Sequence, residues 1–235
     1  MAFKRSVPAA NRLLQSLPAG DLARLMKQCT TVQLTFGDVL YTPGNRITQV
    51  YFPISSFISL IMPVDGTSAL EVGLAGREGM FGVPLLLGVN ISPFRAVVQG
   101  EGEALRMEAK SFLGQLNRSP KLHQAISRYT HVQASQLAQT AACTRYHVVE
   151  SRLARWLLMT QDRAQSTAFH VTQEFLSVML GVRRVGVTKA ARSLQKLGLI
   201  SYCRGDMQVL ERRGLKAASC SCYKADNDVY ERIMA

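Results

Sequence analysis

Arg183 and Arg184 stand side by side just after a glycine, Gly181-Val182, and at helical spacing behind them come Thr188, Lys189, Arg192 and Lys196. An arginine fork at the first turn of a helix can reach both O6 and N7 of guanine in a major groove, and lysines and arginines along the same face can meet phosphate oxygens. Charge is concentrated in this region: from Arg183 to Lys216 nine Lys or Arg stand against Asp206 and Glu211, so seven of the chain's +12 formal charges lie here. Phosphate backbones attract such a surface, with an affinity that falls as salt rises. A basic face that is merely solvated is the bland alternative. A membrane surface is the other, but no segment joins this basic face to a broad exposed face of Trp, Phe or Leu.

Positioning these groups requires a rigid frame, and the flanking residues supply one. Thr172 can cap a first helix carrying Phe175, Leu176, Met179 and Leu180 on one side. Gly181 ends it in a backbone conformation glycine tolerates, and Val182 packs into the angle. A second helix is expected from Arg183 to Leu197, with Val187, Ala190, Ala191, Leu194 and Leu197 inward and the basic residues outward. After Gly198, LISYCRGDMQVL alternates around Arg204-Gly205-Asp206, which predicts a hairpin with Arg204 at its tip, placed to touch a phosphate. The whole is a helix-turn-helix with a wing.

The remaining composition excludes several classes. With 235 residues, 47% hydrophobic and 19% charged, the chain is ordinary globular protein. No stretch has the uninterrupted apolar length of about 18 residues that marks a spanning helix, and the first residues lack a secretory pattern, so a cytoplasmic protein is expected, not a membrane one. Cys29, Cys143, Cys203, Cys220 and Cys222 fit no disulfide framework. Cys220 and Cys222 are separated by a single residue, and His123, His131, His147 and His170 are not grouped with them at finger-like spacing, so no metal site is expected. No run of cysteines suits an iron–sulfur cluster. Phosphate-loop, metalloprotease and nucleophile-elbow motifs are missing, and no catalytic residue is assigned; the chain reads as a non-enzyme.

The amino-terminal half contains the short segments VQLTF, VLYTP, VYFPISSFISLIMPV, ALEVGLA, FRAVVQG and EALRMEA, punctuated at Gly37-Asp38, Pro43-Gly44, Asp65-Gly66, Gly76 and Gly100. That rhythm predicts an antiparallel β-roll or barrel, preceded by a small helix near Asp21 to Cys29. Between Gly79 and Arg95 a helix-like apolar piece, Val83 to Leu87, interrupts the strands. From Lys121 to about Ala141 a helix free of proline and glycine carries Leu122, Ile126, Tyr129, Gln133 and Leu137 near heptad spacing. These five are the candidate dimer seam, with packing on the chain's own barrel as the alternative. Another helix, with Val148, Val149, Leu153, Trp156, Leu157 and Leu158, ends near Gln161 to Arg163. The expected fold class is α+β: a sensor domain over 1–117, a connecting and dimerisation helix over 118–145, and a winged helix-turn-helix over 146–235.

A β-barrel, a long helix and a winged helix in this order resemble the Crp/Fnr family of bacterial transcription regulators. The resemblance covers nearly the entire chain and is most specific in EVGLAGREGMFGVPLLLG, ESRLARWLL and TQEFLSVMLGVRRVGVTKAARSLQKLGLI. It implies a homodimer on double-stranded DNA, with RNA polymerase as a further partner. The family's base-contacting positions fall on Arg183, Arg184, Val185 and Lys189; Val185 stands where a glutamate is common and offers only apolar contact, so a different target sequence is implied. Cyclic-nucleotide-binding members hold the ribose with a Gly-Glu pair and the phosphate with Arg-Ser or Arg-Thr. The matching pieces here are Gly82-Val83 and Ser92-Pro93, both without the polar anchor, although Arg95 is close enough for a loop shift to bring it in. The resemblance therefore implies an effector pocket at Gly79, Gly82, Val83, Ser92, Pro93 and Arg95 for an unknown small molecule other than cyclic AMP. No cofactor is expected: the oxygen-sensing cysteine cluster is absent, and no histidine precedes His123 to hold haem. Two alternatives stay open: a sensor whose carboxy-terminal domain contacts protein, and a constitutive DNA binder.

Overall fold

The computed structural model describes residues 11–64 and 69–235. The Asp65-Gly66 turn and the first ten residues lie outside the described residues. Contacts divide the chain into two units, one of residues 11–60, 74–133 and 233–235, the other of 61–64, 69–73 and 134–232. The sequence segments placed the whole long helix apart; the contacts instead divide it after Gln133.

Helices α1 (Arg12–Gln15) and α2 (Ala19–Met26) precede seven strands, β1 (Thr30–Leu34), β2 (Val39–Tyr41), β3 (Gln49–Pro53), β4 (Phe57–Pro63), β5 (Ala69–Ala75), β6 (Arg95–Gly100) and β7 (Gly102–Glu108), which belong to the first unit except for the end of β4 and the first five residues of β5. They form two sheets, ordered β1-β7-β3 and β2-β6-β4-β5. The apolar run from Val50 to Val64 divides into two strands because the amides of Ile54, Ser55 and Ser56 all turn onto the carbonyl of Glu103, at 2.9, 3.2 and 3.3 Å. Buried Asn11 fastens the entry: its amide donates to the carbonyls of Pro53 and Gly79, at 2.8 and 2.9 Å. Val83–Leu87 is a short 3-10 helix between left-handed Gly82 and Gly88, and α3 (Ala109–Arg118) follows β7.

The long helix α4 (Pro120–Tyr146) has 27 residues, extending beyond the expected Ala141. Its first half corrects the proposed seam: Leu122, Ile126 and Tyr129 are 2%, 0% and 1% exposed within this single chain. The Tyr129 ring fills the space beside Gly79, where an added Cβ would lie 1.8 Å from the ring. A stripe of apolar residues at helical spacing serves a core as well as a partner, and here the core takes these three. Gln133 and Leu137 remain half-buried.

In the second unit α4 is followed by α5 (Val149–Ala164), β8 (Ala168–His170), α6 (Gln173–Leu180), α7 (Arg184–Lys196), β9 (Ile200–Cys203), β10 (Asp206–Val209), α8 (Arg212–Ala218) and α9 (Cys222–Met234). Its core gathers Leu153, Leu157, Leu158, Leu176, Val187, Leu194, Ile200 and Leu215. Arg155 and Asp226 form a buried ion pair at 2.6 Å. Trp156 Nε1 donates to Glu71 Oε1 at 2.9 Å. No helix among the described residues is long and apolar enough to cross a membrane.

Candidate nucleic-acid interface

Local chemistry sets the angle between α6 and α7. The Thr172 hydroxyl accepts from the amide of Phe175 at 3.1 Å and so caps α6. Gly181 closes it in the left-handed region at φ 60°. The next amide, of Val182, reaches back to the Ser177 carbonyl at 3.0 Å, a helix-ending arrangement in which glycine avoids the Cβ clash. Leu176, Met179 and Leu180 face inward from α6, and Val187, Ala190, Ala191 and Leu194 from α7. Leu197, expected inward, is 60% exposed, because it is the cap residue beyond the last helical turn. A guanidinium nitrogen of Arg152, on α5, donates to the Leu180 carbonyl and anchors the end of α6.

The outer face of α7 carries Arg184, Val185, Lys189, Arg192 and Lys196, all exposed, with Arg183 exposed as the residue before the helix. No acidic residue lies in its first turn, so the free amides there and the flanking arginines act with one sign of charge. Gln173 is a residue the sequence reading missed. Its Oε1 accepts from Thr188 Oγ1 at 2.8 Å and from Arg184 Nε at 3.4 Å, which joins the two helices on the outer side. No motif marks that glutamine. Only its position in the first turn of α6 places it opposite the start of α7.

The hairpin turn is tight: Arg204 and Gly205 both have positive φ, 51° and 95°, as a two-residue turn of the primed type requires. At Gly205 an added Cβ would lie 2.5 Å from the exposed His170 ring, which would have to move aside, and the left-handed backbone itself disfavours a side chain there. His170 Nδ1 lies 3.1 Å from Asp206 Oδ1. Strand β8, too short to read from the sequence, pairs with β10 and makes the wing a three-stranded sheet. Arg204 is exposed at the tip.

The expected effector positions do not converge on an anion site. Gly79 is occupied by the Tyr129 ring, and an added Cβ at Gly82 would lie 2.6 Å from Val50 Cγ1, so both are packing positions. Val83 is buried; Ser92 is also buried, with its hydroxyl donating to the Phe94 carbonyl at 2.8 Å. Pro93 and Arg95 are exposed. Elsewhere, in the second unit, the structure brings together residues that the sequence spacing kept apart: Cys143, His147, Cys220 and Cys222.

Residues 151–218 match the family model of the Crp-like helix-turn-helix domain. No curated protein matches the chain. Among solved structures, the chain is similar to FixK2 from Bradyrhizobium japonicum, at 12% identity and TM-score 0.69 over 82% of this chain and 98% of that one. It is similar also to the c-di-GMP responsive global regulator CLP of Xanthomonas campestris, at 18% identity and TM-score 0.67 over 82% and 99%. A transcriptional regulator of the CRP/FNR family from Thermus thermophilus is 21% identical, with TM-score 0.66 over 81% and 98%.

Proposed function

We propose that this chain, whose residues 151–218 match a Crp-like helix-turn-helix domain, is a DNA-binding transcription regulator of the Crp/Fnr type that acts as a homodimer on an inverted repeat in double-stranded DNA. The observation that carries this reading is the outer face of α7. Arg183, Arg184, Val185 and Lys189 are exposed together at its amino-terminal end, and Gln173 supports Arg184 from behind. In such a dimer the two α7 helices enter successive major grooves about 34 Å apart, with Arg183 and Arg184 at base edges. Thr172, Arg192 and Arg204 serve the flanking phosphates, and Thr188, whose hydroxyl hydrogen goes to Gln173, would have to release that bond to join them.

Dimerisation through α4 uses the partly open Gln133 and Leu137, since the three residues nearer its start are spent on the core. The controlling signal is a small molecule other than cyclic AMP. Support for this comes from Arg95, which is exposed to solvent, and from the Ser92 hydroxyl, which already donates to the Phe94 carbonyl, so that neither is placed as the buried partner a cyclic phosphate needs. The protein works in the cytoplasm, beside RNA polymerase, without catalysis.

Selection from random duplex DNA tests the proposal. An inverted repeat with half-sites about one helical turn apart is expected. Recovery of no preferred sequence at physiological salt overturns it.

A further inference from the structure

We propose that Cys143, His147, Cys220 and Cys222 form a tetrahedral Zn2+ site that fastens the α8–α9 connection to the end of α4. Cys143 lies in the last turn of α4, and His147 follows one turn later, its amide bonded to the Cys143 carbonyl at 3.1 Å. Cys220 and Cys222 flank Ser221 at the junction of α8 and α9. Far apart along the chain, the two pairs meet in space: Cys143 Sγ is 3.5 Å from Cys220 Sγ, and Cys222 Sγ is 3.4 Å from His147 Nδ1. All four ligand atoms lie within 4.8 Å of one another.

Those separations match a mononuclear site. With Zn–S of about 2.3 Å and Zn–N of about 2.0 Å, tetrahedral geometry places sulfurs about 3.8 Å apart and sulfur and nitrogen about 3.5 Å apart. An iron–sulfur cluster would put its inorganic core between the thiolates and spread them farther. The three cysteines are 2%, 8% and 1% exposed, so solvent is largely excluded, as in structural zinc sites. Gln139 Nε2 donates to Cys222 Sγ at 2.9 Å, the outer hydrogen bond that steadies a metal thiolate. Three thiolates and one neutral imidazole leave a net charge of −1 with Zn2+, and Arg152 and Arg155 line the same small cavity as Cys143. On binding, each thiol yields its proton to solvent as its Zn–S bond forms.

The site does not depend on the DNA-binding reading. It would cross-link residues 77 positions apart, closing the last helices onto α4. Metal analysis of the full chain, purified under reducing conditions without a metal-affinity tag, is expected to find about one zinc per chain. Titration of the metal-stripped chain with Co2+ should give intense tetrahedral d–d bands and a thiolate-to-cobalt charge-transfer band. Cys220→Ser should lose the metal, whereas Cys203→Ser and Cys29→Ser keep it. Should Cys220→Ser fail to fold, His147→Cys tests the same site: it retains cobalt but shifts the bands toward an all-thiolate spectrum. Three results overturn the proposal: a wild-type chain without zinc whose Co2+ spectrum stays weak and octahedral, full metal content in Cys220→Ser, or a Cys143–Cys220 disulfide in place of metal.

Discussion

Thr188 Oγ1 donates to Gln173 Oε1 at 2.8 Å, and through that contact the first turn of α6 supports the first turns of α7. Arg184 shares the same acceptor at 3.4 Å, so a neutral amide holds an arginine that in the proposed complex lies over a base. An unsupported arginine must lose more rotamer freedom on binding.

Gln173→Ala is therefore expected to weaken specific DNA binding about three- to tenfold, the worth of one ordinary hydrogen bond, and to lower thermal stability only slightly, since the contact it removes is half-buried and open to replacement by water. Fluorescence anisotropy and a melting curve measure the two effects. A large fall in melting temperature with unchanged affinity would assign Gln173 to folding instead.

Trp156 is the chain's only tryptophan and is 5% exposed. Removal of its acceptor in Glu71→Ala leaves a buried indole N–H unpaired, at a cost of about 1–3 kcal/mol. Urea unfolding followed by intrinsic fluorescence reports this loss directly, since the emission comes from the very residue affected.

Asp226→Ala strands the guanidinium of Arg155, whose side chain is 8% exposed. Breaking one side of a buried pair costs about 3–5 kcal/mol. The double variant Arg155→Met with Asp226→Leu should recover most of that stability in chemical denaturation; equal losses in the single and double variants would show that the pair's packing matters more than its charge.

Gly79→Ala forces a methyl into the Tyr129 ring, 1.8 Å away. Overpacking of this kind costs about 1–3 kcal/mol, and Tyr129→Leu in the same chain should relieve it. Calorimetry of the four chains in the cycle yields the coupling. Independent effects would mean that the loop at Gly79 yields rather than the ring.

Much of the second unit was legible because its signals are local. Thr172 as a cap, Gly181 as a stop and Arg204-Gly205 as a tight turn each depend on neighbours a few residues away. The strands of the first unit were legible in the same way, although Val50 to Val64 read as one run until the Glu103 carbonyl was seen to gather the turn. What stayed hidden is non-local. Leu122, Ile126 and Tyr129 have the same spacing whether a barrel or a second chain covers them. Gln173 acquires meaning only once α7 is laid beside it. Cys143 and His147 are four apart and Cys220 and Cys222 two apart, and nothing in either pair announces the other.

Cys29 illustrates how environment overrides residue type. Partial burial pushes its thiol pKa up to about 12, so at pH 8 far less of it carries the reactive thiolate than in an ordinary exposed cysteine. Cys203 is exposed on β9. Alkylation of the native chain at pH 8 followed by peptide mass mapping should therefore modify Cys203 well before Cys29. Labelling of Cys29 at an equal rate would indicate that this region opens readily.

The central claim is that Arg183 and Arg184 read base edges while Arg204 holds the backbone. Its most direct measurement is the ratio of affinity for the selected inverted repeat to affinity for scrambled duplex, in the native chain, in Arg183→Ala/Arg184→Ala and in Arg204→Ala. Loss of base-edge contacts worth about 1–3 kcal/mol each should collapse that ratio in the first variant, whereas the second should weaken both duplexes alike and leave it intact. A ratio that survives removal of both recognition-helix arginines would contradict the account.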